Sequence, residues 1–242
     1  MSYRMDLFWR RAANLYKMYQ GADDPDFKRI WMDKLQLLMQ GISGVDKKEL
    51  NWYNNIMNIF YLHNDPKIWA ELHVDKHVVK MIVEYAQLLS TAKRMIDGVK
   101  YQALSKTGRK VQRYRLPNPN EEATIYKAVH YHHPSAVWAR SSTQHYNWLY
   151  SLFRELGREY THRYKKDHST IELLKELLKH PPVNLQDNGW QEPPPAMSHF
   201  PQCIVPGDSI QSYKNYYNEA KAYFAKWTNR QTPEWFIGSI TW

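Results

Sequence analysis

The stretch HVDKHVVKMIVEYAQLL, residues 73–89, decides how this chain folds. It contains neither Gly nor Pro, and its apolar residues recur without a break, which predicts helix. Yet His73, His77, Lys80, Glu84 and Gln87 recur at spacings of four, three, four and three. At about 100° per residue these five fall within an arc of about 80°. Val74, Val78, Met81, Ile82, Tyr85, Leu88 and Leu89 take one flank, and Val79 and Val83 take the other. A narrow polar stripe with apolar surface on both sides has two readings. As a solvated face, it contains one Lys80–Glu84 i,i+4 pair worth ~0.3–0.5 kcal/mol. As the wall of a cleft, it has its pKa values shifted by burial and pairing, and it lines an active site. Two His and a Gln, where a solvated face carries several Lys and Glu, favour the second.

Working outward, Pro66 after Asp65 opens the helix, and the pattern predicts one helix from about Pro66 to about Met95. Before it, MNIFYL is strand-like and HNDP is a turn. Residues 5–20 and 25–40 have the spacing of two amphipathic helices, with Trp9 and Trp31 as packing residues. The polar, Gly-containing connection after them places a domain boundary near residue 56, with 1–56 as a helical hairpin appendage. Downstream, 98–115 is a basic loop holding Lys100, Lys106, Arg109, Lys110, Arg113 and Arg115 and no acidic residue. A second long helix is predicted from Pro134, a short one over 169–179, and a last one over 209–227. The Pro-rich run 180–208 between them is extended loop. Strand signal is scarce. The expected fold is mostly α: a compact helical domain built on two long helices, with an N-terminal helical hairpin appendage.

The 242 residues are 43% hydrophobic, enough for a real core and too apolar for a disordered chain. A single cysteine, Cys203, rules out an internal disulfide and points to a reducing, cytoplasmic setting. No run approaches the ~18 apolar residues of a membrane span, and the N-terminus has no secretory pattern. The net charge of +9, with 14% aromatic residues, suits a polyanion, because Lys and Arg release counterions and aromatic rings stack on bases.

Several chemistries lack their signatures. His73 and His77, and the HYHHP run with His130, His132 and His133, raise the question of zinc, but HExxH and CxxC are absent. No GxSxG elbow or phosphate-cradling Gly loop exists. Neither a metal nor a cofactor is expected.

The run HVDKHVVKMIVE resembles the catalytic helix of the pyrimidine-dimer DNA glycosylase family, the phage endonuclease V type and its bacterial relatives. On that likeness Asp75 matches the family's Asp, Lys80 a basic residue and Glu84 the catalytic carboxylate. MNIF and NDP stand where relatives have an opening strand and turn. His133-Pro134 with Trp138 matches a further helix start, and SYKNYYNEAKAYFAKW an aromatic C-terminal segment. The likeness covers scattered motifs over about residues 57–236. It implies base excision followed by strand nicking on double-stranded, damaged or modified DNA. An amine attacks C1′, and a carboxylate stabilises the cationic sugar and moves protons. Glu84, Lys80 and His77 would form the catalytic group. His73, Gln87, Arg109, Lys110, Arg113, Arg115, His133, Arg140, Tyr213 and Tyr217 would contact DNA. In the phage enzyme the amine is the chain's own α-amine, whereas 56 residues precede Met57 here. Four routes stay open: delivery of Met1 or Ser2 by the appendage, a chain start at Met57, Lys80 as the nucleophile, or altered chemistry. Two other functions share the scaffold: a base- or nucleotide-modifying enzyme, and a non-catalytic phage DNA-binding or assembly protein.

Overall fold

The computed structural model describes residues 58–105, 107–197 and 200–238. The chain divides into two compact units, Met1–Ile56 and Met57–Trp242. The two expected N-terminal helices, with Trp9 and Trp31, lie outside the described residues, as does Lys106. The described part is mostly α, about half helical, with seven α-helices and one two-stranded sheet.

The helix expected over 66–95 is two helices. Helix α1 (Pro66–Leu72) is capped by Asp65, whose carboxylate accepts from the amides of Lys67 and Ile68. Helix α2 (Asp75–Asp97) follows after a break at His73, which is extended at φ −68°, ψ 137°. The break has a local and a long-range cause. The His73 ring takes the Trp69 carbonyl at 2.9 Å, while the His73 amide bonds to Ala70 O instead. Asp75 then holds the new helix start. Its amide donates to Lys226 O, and its carboxylate receives Arg163 at 2.7 Å and both the amide and hydroxyl of Thr228.

The helix expected from Pro134 also divides, into α4 (Pro134–Ala139) and α5 (Thr143–Tyr164). Ser142 is the reason. Its hydroxyl accepts from the amides of Gln144 and Asn188 and donates to Asp187, capping α5 and tying it to the Pro-rich segment. Helices α2 and α5 pack along each other and bury Tyr85, Leu88, Leu89, Tyr146, Leu149 and Phe153 completely. MNIFYL is not a strand. From Asn58 onward it belongs to no strand among the described residues, and its Ile59, Phe60, Tyr61 and Leu62 are all buried. Its side chains carry it into the core.

The basic loop is a β-hairpin. Strands β1 (Val99–Leu104) and β2 (Lys110–Arg115) pair antiparallel with Tyr101 opposite Arg113 and Val99 opposite Arg115. Apolar and polar residues alternate in VKYQAL, a strand pattern that the density of basic residues masks. Gly108, at φ +74°, closes the turn in a region that favours glycine. Helix α3 (Pro119–Thr124) is clamped beneath the hairpin by Arg94. That buried guanidinium donates to the carbonyls of Tyr114, Glu122, Ile125 and Tyr126 and to the Glu122 carboxylate. Helix α6 covers only Ser169–Leu174 of the expected 169–179. The last helix, α7 (Ser209–Tyr216), widens into a π-helical turn over Tyr217–Lys221 and ends as a 3₁₀ turn over Ala222–Phe224.

Candidate active site

Glu84 sits mid-way along α2, between the buried Tyr85 and the exposed Val83. Its side chain is only 14% exposed, whereas Lys80, one turn earlier, is 57% exposed and places Nζ 3.0 Å from Glu84 Oε1. The other oxygen, Oε2, is buried with no hydrogen-bond partner of its own among the described residues. Burial drives the Glu84 pKa above the ordinary carboxylate value. The charge and hydrogen bond of Lys80, the backbone amide of Asn58 and the charge of Lys221 offset this only in part.

Lys221 ends the π-helical turn, half-buried. Its ammonium lies 4.9 Å from the ring centre of Tyr216 and 5.9 Å from that of Phe224. Burial lowers its pKa from 10.5 to about 8; Lys80 adds repulsion and Glu84 resists. The carboxylate is therefore pushed toward its neutral acid and the amine toward its neutral base. Val79 and Val83, exposed beside Lys80 on α2, form an apolar rim.

Asn58 closes the inner side. It is fully buried; its side-chain amide donates to Ala196 O at 3.1 Å, and its carbonyl accepts from the Tyr213 hydroxyl. Neither Lys221 nor Asn58 was a candidate on sequence grounds. The signal for Lys221 was present: it follows Tyr213 and Tyr217 at i+8 and i+4, a lone lysine on the inward aromatic face of its helix.

The other stripe residues separate. His73 precedes α2 and is wholly buried. Its Nδ1 faces Trp69 O and its Nε2 is 3.3 Å from the Tyr85 hydroxyl, and burial lowers its pKa to about 3. It is a neutral core residue with no surface to offer DNA. His77 is also buried. It stacks on Phe60 at 4.2 Å and shares a 2.7 Å hydrogen bond with the Tyr217 hydroxyl. Burial, then the charge of Lys221, lowers its pKa well below the usual value. Its geometry is that of a neutral post joining α2 to the π turn rather than a proton carrier. The two imidazoles are 6.3 Å apart and each is engaged elsewhere. Gln87 reaches the carbonyl of Lys127 at 2.6 Å.

Tyr213 and Tyr217 are 0% exposed and pack edge-on against Phe60, so as placed neither can stack on a base. His133 caps α4 through the Ser135 amide. Arg140 donates to Tyr131 O at 2.6 Å, while its Nη1 is buried without a hydrogen-bond partner among the described residues. Arg109, Lys110 and Arg115 are exposed on the hairpin and Arg113 is half-buried; Arg115 lies over the Tyr101 ring at 4.9 Å. Asp75 belongs to a structural ion network with Arg163, Glu159, Arg230 and Glu71.

A groove of about 460 Å³ lies between α1 and the C-terminal tail, away from Glu84. Of its charged lining groups, Glu71 and Arg230 are already paired at 3.3 Å, and Glu234 completes the set. Among the described residues no three His, Cys, Asp or Glu side chains converge, and no helix is long and apolar enough to cross a membrane. No protein-family model matches the chain, and neither a characterised protein nor a solved structure does. The chemistry of the site therefore rests on its own geometry.

Proposed function

We propose that residues 57–242 form a DNA glycosylase/AP-lyase-like enzyme that excises damaged or modified pyrimidines by amine chemistry, with Glu84 as the catalytic carboxylate. The observation that carries this reading is a mostly buried carboxylate, ion-paired with Lys80 through one oxygen and feeling the charge of Lys221. Such a group, its acid form favoured by burial, can donate a proton to a departing base or ring oxygen and later remove one from C2′. Its ionised form also stabilises a cationic sugar. The likeness of HVDKHVVKMIVE to the pyrimidine-dimer glycosylase helix points the same way. So does the exposed basic hairpin, since a two-stranded ribbon fits a DNA groove and its cations meet phosphates. Asp75, carried over with that likeness, acts here on structure: it anchors the start of α2 and so sets the direction in which Glu84 projects.

The test is strand nicking of a duplex carrying one abasic site, alongside UV-irradiated duplex. Wild type yields the 3′ unsaturated aldehyde end of β-elimination, and Glu84→Gln does not. A wild-type protein that leaves both duplexes intact sinks the reading. DNA binding retained by such an inactive wild type supports the non-catalytic alternative, in which the basic hairpin alone is functional.

A further inference from the structure

We propose that Lys221 is the nucleophilic amine of this site, an assignment that rests on the glycosylase/lyase reading and identifies its missing group. Two side-chain amines interact electrostatically with Glu84. Lys80 is the poorer nucleophile. Its ammonium is already engaged by Glu84 Oε1 at 3.0 Å, and its side chain is 57% exposed. Lys221 is half-buried, and among the described residues no carboxylate lies within ion-pair distance of it. Its charge nonetheless interacts with that of Glu84, so the two groups share one electrostatic environment.

The backbone adds an independent observation. Lys221 closes the one π-helical turn among the described residues, and such turns are uncommon and concentrate at functional sites. The turn is held at both ends. Tyr217, its first residue, is bonded to His77 of α2 at 2.7 Å. Lys221, its last, lies over Tyr216 and Phe224. A lysine that merely rested its stem on aromatic rings would carry its ammonium out to water and keep an ordinary pKa. Instead burial and Lys80 bring this one to about 8. Roughly a quarter of it is then neutral at pH 7.5, against about a thousandth for an unperturbed lysine.

The reaction balances without an oxidant or a metal. The neutral Lys221 Nζ bonds to C1′. The C1′–N bond to the base breaks, and its electron pair leaves with the base, which takes up the proton lost by the amine. The C1′–O4′ bond then opens, with O4′ accepting a proton from Glu84 while the nitrogen lone pair forms the C1′=N iminium. The Glu84 carboxylate removes a C2′ proton, and the C3′–O bond breaks as the 3′ phosphate departs with its electron pair. Water hydrolyses the iminium and returns the free amine.

The experiment uses the full chain and a duplex with a single abasic site. Borohydride reduces the iminium to a stable amine, and digestion with mass spectrometry maps the linkage. The expected result is an adduct on the peptide containing Lys221, reduced at least a hundredfold in Lys221→Arg, which retains the positive charge and DNA binding. An adduct on Lys80 or on an α-amine, or unchanged trapping in Lys221→Arg, overturns Lys221 while leaving the glycosylase/lyase reading intact. No adduct on any residue overturns both. Mapping on the wild type keeps the assignment decidable even if the variant fails to fold.

Discussion

Lys80 and Glu84 form an unequal pair: 3.0 Å apart, one side chain is 57% exposed and the other 14%. An exposed i,i+4 pair contributes ~0.3–0.5 kcal/mol and little else. Here the lysine meets solvent while the carboxylate bears the desolvation, so the pair tunes an acid more than it braces a helix. Lys221 adds a second, less exposed amine whose charge also acts on that acid.

Removing the carboxylate's charge should separate chemistry from stability. Glu84→Gln is nearly isosteric and puts no ion in a poorly hydrated site. We expect nicking of abasic duplex to fall by about 10²–10⁴-fold, the range for loss of an acid–base group. Thermal stability should be unchanged or higher, because the buried Oε2 has no partner to lose. Single-turnover rates and a melting curve on the same sample check both halves.

The pH dependence follows from the amine. Its folded pKa of about 8 lies below the unfolded value of 10.5, so the protonated form is disfavoured in the fold. Lys221 therefore costs stability in full below about pH 8, and that cost disappears as pH rises to 10.5. Lys221→Met should be more stable than wild type at pH 7 by about 1–2 kcal/mol after solvent screening, with the difference vanishing above pH 10. Urea denaturation at pH 7, 9 and 10.5 measures it.

Lys80→Met should act on Lys221 at a distance. Lys80 repels the Lys221 charge, so its removal raises that pKa. The alkaline rise of wild-type nicking should then move to higher pH. Stability should change by less than ~0.5 kcal/mol, since the lysine is exposed. A pH–rate profile whose midpoint stays fixed would contradict the coupling.

The hairpin should contribute charge rather than chemistry. Lys100, Arg109 and Lys110 are exposed and none is in an ion pair among the described residues. Their triple replacement by Gln should weaken DNA binding and make log K less steep against log salt, by roughly 0.9 for each phosphate that is no longer neutralised. The melting temperature should hardly move. Anisotropy titrations at several salt concentrations give the slope.

Two structural sites should be far more costly. Arg163 is fully buried between Glu159 and Asp75, and Arg163→Ala would remove the buried cation the two carboxylates share, leaving Glu159 to Arg230 and Asp75 to Thr228, at about 3–5 kcal/mol. Gly157 of α5 faces Ile171, and an added Cβ would stand 2.8 Å from that side chain. Gly157→Ala should destabilise by about 1–3 kcal/mol despite its better helix propensity, and Ile171→Val should recover part of that. Equilibrium unfolding decides both.

What the sequence alone determined is the α-rich character of residues 58–238 and the placement of Glu84 and Lys80 on one helical face. Those are local properties, carried by the spacing of HVDKHVVKMIVEYAQLL. It did not determine that the stripe loses His73 to a helix break, because that break depends on contacts to Asp75 from Arg163, Lys226 and Thr228, far along the chain. The hairpin was legible in the alternation of VKYQAL, but strand pairing is a non-local contact, and a run of basic residues has the composition of a solvated loop. Tyr213 and Tyr217 had the spacing of a face without any mark of whether water or Phe60 covered it. Only the tertiary structure brought Lys221 and Asn58 to Glu84. A pKa shift by burial depends on what surrounds a group in space, and neither the 26 positions between Asn58 and Glu84 nor the 137 between Glu84 and Lys221 carry a local trace of that meeting.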